Sequence, residues 1–160
     1  MPEPSSRLQR ELHQRKPFRS PAHEATVGLA RTADLARRRV EAILEPHGIT
    51  ASQYNVLRIL RGAGQAGLPT LDVADRLVER APGITRLLDR LEAKGLVRRE
   101  RCAEDRRRVF CWATPRALRL LEALDVPVDG TEAAVMAPLS DGERRELIRL
   151  LDRIRAGLGA

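Results

Sequence analysis

The chain has 160 residues, a length suited to one ordinary domain, and is 42% hydrophobic with only one Trp, one Tyr and two Phe. A core of Leu, Ala, Val and Ile on packed helices is therefore expected. Twenty-nine Lys and Arg against 22 Asp and Glu leave a formal net charge of +7, which steers the protein toward polyanions. No stretch approaches the ~20 apolar residues that span a bilayer, and the polar start MPEPSSRLQR lacks an apolar export segment. These features predict a soluble, cytoplasmic protein without a membrane partner. Cys102 and Cys111 stand nine apart without a second pair or a matching histidine spacing, so no structural metal is expected.

In chain order, Leu8 and Leu12 permit a short helix within residues 6–14. Residues 1–19 read as an arm that is either mobile or wrapped on a partner. Ser20 is an N-cap with Pro21 in the first helical position. Leu29, Ala33, Ala36, Val40 and Ile43 then make a narrow apolar seam until Pro46 ends the helix. Thr50 and Gln53 form a capping box for a second helix, which stops in a loop holding Gly62, Gly64 and Gly67. Thr70 is expected to cap a third helix through Leu77, and a fourth is expected over residues 80–94.

That fourth helix carries Ile84, Leu87, Leu88 and Leu91 at i, i+3, i+4 and i+7, with Thr85, Arg86, Asp89, Arg90 and Glu92 facing away. Lys94 suits the negative end of the helix dipole, and Gly95 a left-handed C-terminal turn. Two short helices joined by a tight turn make a helix-turn-helix. Val97 and the run Val109, Phe110, Cys111, Trp112 flank a charged connection as two strands of a hairpin. Residues 98–108 hold six arginines against three acids, so nearly half the excess charge lies there. Thr114 and Pro115 start another helix with Leu118, Leu121 and Leu124 inward, expected to break at Val126, Pro127, Asp129 and Gly130 before a short Ala-rich segment over 131–137. Ser140 and Glu143 cap a last helix with Leu147, Leu150, Leu151, Ile154 and Leu158 in a heptad-like seam.

The fold class is thus mainly α with a small β-hairpin wing: a winged helix-turn-helix over residues 48–114, with helical dimerisation segments at 20–47 and 115–160. Terminal seams beside a motif that reads palindromes point to a homodimer.

This order of elements resembles the MarR family of bacterial transcription regulators over about residues 22–157. The most specific pieces are ITRLLDRLEAKGLVRR (84–99) and CAEDRRRVFCWATPRA (102–117), which look like the family's recognition helix and its Asp-x-Arg wing. The chain departs from the pattern at Val78, Glu79 and Arg80, where a Gly, an apolar residue and a Ser or Thr cap are usual. The resemblance implies a triangular homodimer with its terminal helices interlocked, repressing nearby genes until a ligand or oxidant alters the lobe spacing.

Double-stranded DNA carrying a pseudo-palindromic operator is the expected partner. Arg80, Gly83, Thr85 and Arg86 are assigned to the major groove, where arginine suits bidentate contact with guanine and Thr85 suits phosphate. Arg90 is assigned either to DNA or to an internal salt bridge. Arg107 is the strongest single candidate, entering the minor groove from the wing with Asp105 holding its guanidinium and Arg106 and Arg108 attracting phosphate. The family's effector pocket lies between the first helix, the second and the helix after the wing. There His23, Arg31, His47, Tyr54 and Arg58 have chemistry suited to a small aromatic or carboxylate compound, but no pattern among them assigns a ligand. If the wing turns at 106 and 107, Cys102 and Cys111 face each other across the strands, which keeps a redox-sensing alternative open. A docking module for protein or RNA is a further alternative. An enzyme is not expected. The wing acids are interleaved with arginines, and no Ser-His-Asp set, P-loop or dinucleotide fingerprint occurs, so no cofactor is expected.

Overall fold

A computed structural model describes residues 6–79, 83–105 and 107–159. Residues 1–39 and 40–160 form two compact units. In the first, the short helix α1 (Arg7–Glu11) starts at Ser6, whose hydroxyl accepts the Gln9 amide. Leu8 of α1 lies over Gly28, where a Cβ would be 3.5 Å from its Cδ2. Helix α2 (Pro21–Leu44) opens as expected, with the His23 amide donating to Ser20 Oγ at 3.1 Å. A 3-10 turn carrying Pro46 ends it, and Gly48 follows at φ 68°.

In the second unit, α3 (Ala51–Ala63) starts with the complete Thr50–Gln53 capping box and buries Tyr54, Val56, Leu57 and Leu60. Gly62 is helical and the chain leaves the helix at Gly64. Next comes an element the sequence did not announce: Leu68–Pro69 is a two-residue strand, β1. Helix α4 (Thr70–Asp75) therefore begins at Thr70 and is shorter than expected. Thr70 is not a cap; its hydroxyl donates to the Val109 carbonyl, tying the start of α4 to the sheet. Helix α5 (Ile84–Ala93) buries Leu88 and Leu91, leading into β2 (Val97–Arg101) and β3 (Val109–Ala113). The antiparallel sheet has the order β1-β3-β2, so the wing is three-stranded at its root.

Helix α6 (Pro115–Met136) corrects another expectation: it runs unbroken through Pro127, Asp129 and Gly130 and includes most of the Ala-rich segment. Proline removes one backbone bond and typically costs about 3 kcal/mol in a helix interior. Leu121, Leu124 and Val128, all buried on one face, carry the helix across that point, each fully buried apolar side chain contributing roughly 1.5–3 kcal/mol. Asp125 adds a bidentate ion pair with Arg61 of α3 at 2.8 and 3.0 Å. Helix α7 (Asp141–Gly157) has the Ser140–Glu143 capping box and no fully buried residue.

The core is one cluster. Leu44, Val56, Leu57, Leu60, Val73, Leu88, Leu91, Cys111, Leu121 and Leu124 are buried together, joining α3, α4, α5, the sheet and α6. Thr114 sits at its edge, where its hydroxyl donates to the Gly95 carbonyl at 2.8 Å and accepts the Ala117 amide.

Candidate nucleic-acid interface

The amphipathic pattern of α5 determines what it presents. With Leu88 and Leu91 buried and Ile84 and Leu87 half-buried, Thr85, Arg86 and Arg90 are left exposed. Residues 80–82, where the sequence set the helix start, lie outside the described residues, and Gly83 is the residue before the helix, at φ 95° in the left-handed region. A side chain there would be strained, which accounts for glycine at this entry. Arg80 lies outside the described residues, as does Arg106.

The end of α5 is also fixed. Lys94 reaches back to the Gly48 carbonyl and to Gln53 Oε1, so its charge pins α5 to the start of α3 in addition to facing the helix dipole. Arg90 is exposed and, among the described residues, makes no ion pair. The internal partner is Arg99, a residue the sequence pattern did not single out. Its Nη2 lies 2.6 Å from Asp89 and 2.5 Å from Glu92, and its Nε donates to Glu92 at 3.0 Å. The bond to Glu92, more than the bond to Asp89, holds the Arg99 guanidinium above the ordinary arginine range.

At the wing tip, Asp105 Oδ1 accepts the Arg107 amide at 3.0 Å, and the Asp105 carbonyl accepts the Arg108 amide at 2.9 Å. Asp105 therefore shapes the turn through the main chain, whereas the sequence had assigned it to the guanidinium. Arg107 and Arg108 are both exposed. Behind them, the Arg108 guanidinium lies 5.3 Å from the centre of Phe110, Phe110 stacks on Trp112 at 6.0 Å, and the Arg98 guanidinium lies 4.3 Å from the Trp112 ring. Half of the chain's four aromatic residues thus stiffen this hairpin, in a ladder with two arginines. Trp112 Nε1 donates to the Gln65 carbonyl at 3.0 Å, fixing the ladder to the loop before β1.

Thr85 of α5 and Arg99, Arg107 and Arg108 of the wing line one groove of about 370 Å³, floored by Pro69, Thr70 and Leu71. Of the residues assigned from the sequence, Thr85, Arg107 and Arg108 line this groove, whereas Gly83, Arg86, Arg90 and Asp105 do not. Tyr54 and Arg58 are also adjacent, the guanidinium 5.8 Å from the ring, and burial pushes the Tyr54 hydroxyl above its ordinary value. His23 accepts the Arg19 amide and meets Phe18 edge-on, and Arg31 lies 4.0 Å from Asp34. His47 belongs to the 3-10 turn after α2. Among the described residues, no group of three or more His, Cys, Asp or Glu is placed to hold a metal ion, and no helix is long and apolar enough to cross a membrane.

The cysteine alternative fails on register. Cys111 pairs with Arg99, whereas the Cys102 amide donates to the Arg108 carbonyl. The two thiols are three residues out of step, roughly 10 Å along the strands, beyond the ~7 Å Cα separation that a disulfide tolerates. Cys111 is fully buried, which raises its thiol above the ordinary value and opposes the reactive thiolate.

A reading helix, a short helix before it and a hairpin sharing its groove define a winged helix protein. A family model described as MarR family matches residues 47–108. The chain is 30% identical over 118 residues to the "Putative transcriptional regulatory protein for hcr operon" of Thauera aromatica, covering 74% of this chain and 70% of that one. It is 41% identical to the crystal structure of a MarR transcription factor from Planctomyces limnophilus, with TM-score 0.66 over 84% of this chain and 98% of that one. The S. aureus MepR–DNA complex superimposes with TM-score 0.76 at 26% identity, covering 82% and 96% of the two chains. AbsC of Streptomyces coelicolor, a MarR family regulator, shares the fold with TM-score 0.79 at 22% identity over 89% and 98%. This chain belongs to the MarR family of transcription regulators, a family of regulators and not of enzymes.

Proposed function

We propose that the protein is a homodimeric, sequence-specific DNA-binding regulator that represses transcription and is released by a small molecule. The observation that carries the DNA-binding part is the common groove of Thr85, Arg107 and Arg108, which allows α5 and the wing to address one duplex together. Arg86, exposed on the first turn of α5, is suited to a guanine edge; Gly83 at the helix entry allows close approach to a phosphate, and Arg107 fits a minor groove. A structural relative, MepR of S. aureus, is crystallised with DNA.

Dimerisation, assigned to residues 20–47 and 115–160, is supported by apolar side chains that α7 leaves in water. Ile148, Leu150, Ile154 and Leu158 are 58%, 41%, 48% and 78% exposed. Leu150, Ile154 and Leu158, spaced four apart, make an exposed apolar stripe of the kind a second copy covers. Two copies would present two reading helices to half-sites about 34 Å apart, one helical turn of DNA. For the effector, a groove of about 400 Å³ lined by Arg61, Arg98, Trp112, Leu60 and Leu118 has the volume and the mixed apolar and cationic lining of a small-molecule site.

The test is binding of the purified protein to DNA from immediately upstream of its own gene and to unrelated DNA, across a salt series. Preference for the upstream fragment, with affinity falling steeply as salt rises, is expected. No binding to either fragment at low salt overturns the proposal in favour of a docking module.

A further inference from the structure

The outward face of α5 has a defect for its assigned task. Arg86 and Arg90 are offset by Asp89 and Glu92, so the helix presents as much negative as positive side-chain charge beside a groove lined by Arg107, Arg108 and Asp72. Arg99 projects from β2, on the side of the strand turned toward α5. It contacts both carboxylates, is only 20% exposed, and lines the same groove as Thr85, Arg107 and Arg108. Among the described residues, every ion pair between α5 and the hairpin runs through this guanidinium.

We infer that Arg99 is a positioning residue for DNA reading: it clamps the wing to the recognition helix and offsets one of the two negative charges that Asp89 and Glu92 would otherwise present to the backbone. The planar fork suits this double duty, since its nitrogens meet two acids in fixed directions, which a lysine ammonium does not reproduce. Without the clamp, hairpin and helix would each still fold on the core but would lose their mutual angle, and a groove contact that is misplaced by an ångström is lost.

This inference rests on the proposed DNA binding, and a cycle of variants tests it. Arg99→Ala is expected to weaken upstream-fragment binding by about tenfold or more, and in a background of Asp89→Asn with Glu92→Gln by less than about threefold, because contacting residues couple. Equal losses in the two backgrounds would show Arg99 acting on DNA directly and overturn the inference. A second readout needs no DNA. Amide hydrogen exchange of β2 and β3 is expected to accelerate several-fold in Arg99→Ala while α3 and α6 keep their protection. Unchanged exchange in the hairpin overturns the clamp. If the wild type binds neither fragment, the proposed function fails on its own, and the exchange result still decides Arg99.

Discussion

Replacing Gly67 by alanine tests how the wing is attached to the rest of the fold. Gly67 has φ 64° and ψ −175°, a combination essentially confined to glycine. A Cβ built there would overlap Trp112 Nε1 and lie 2.5 Å from Trp112 Cε2 and 2.9 Å from the Cys111 carbonyl oxygen. The indole must move, because the carbonyl belongs to the central strand of the sheet. Backbone strain costs about 1–3 kcal/mol. Displacing Trp112 breaks its bond to the Gln65 carbonyl, about 1 kcal/mol, and the Arg98 stack, about 0.5–1 kcal/mol. The expected destabilisation is then about 2.5–5 kcal/mol, which for a chain of this size lowers Tm by roughly 5–20 °C. Trp112 is the only tryptophan, so thermal unfolding followed by its fluorescence reports both the stability and the altered indole site. A Tm within about 2 °C of wild type, with unchanged emission, would refute the contact and the strain together.

Three further outcomes are expected. Arg107→Ala weakens binding to the upstream fragment by about 1–3 kcal/mol and reduces the salt slope by about one; an unchanged slope removes Arg107 from the phosphate-facing surface. Arg61 holds the Asp125 carboxyl below the ordinary aspartate range through its hydrogen bonds, so this pair stabilises the fold above the unfolded value near 3.9, and that contribution is lost as pH falls through the lowered value. Asp125→Asn should accordingly narrow its Tm gap from wild type on acidification, and a gap independent of pH would deny the pair its role. Ile154→Glu places a charge in the exposed apolar face of α7 and should halve the mass found by light scattering at micromolar concentration; an undiminished dimer mass shows that the subunits associate elsewhere.

Local chemistry makes much of the fold legible in the sequence. The capping pairs Thr50–Gln53 and Ser140–Glu143 marked helix starts correctly because a cap and its partner lie three residues apart and need no tertiary information. The stripe Ile84, Leu87, Leu88, Leu91 marked the existence and the buried face of α5, though not its start, which falls at Ile84 and not at residue 80. What stayed hidden depends on distant partners. Strand β1 has two residues, one of them a proline, and exists because Leu68 and Pro69 pair with Cys111 and Phe110 about forty positions away. Pro127 and Gly130 read locally as a helix end and were overridden by burial of Leu124 and Val128. The wing register turned on which residues occupy the tip, and a shift of that turn separated two cysteines that spacing alone had set face to face. In the candidate site, sign and exposure were readable for Thr85, Arg86 and Arg107. The distinction between Arg90 and Arg99 was not, since both are arginines near acids and only the fold decides which one turns inward.

Strand β3 ends at Ala113 and helix α6 begins at Pro115, leaving Thr114 as the whole connection. That residue is riveted on both sides, by its hydroxyl to Gly95 and by the Ala117 amide to its hydroxyl, while its own amide donates to the Leu96 carbonyl at 3.1 Å. There is no slack in which a turn of α6 can be absorbed. At 22 residues the helix is about 33 Å long, so a tilt of about 5° displaces its far end by about 3 Å, and the near end carries the strand and the close of α5 with it. Mechanically, α6 is a crank whose short arm is the wing.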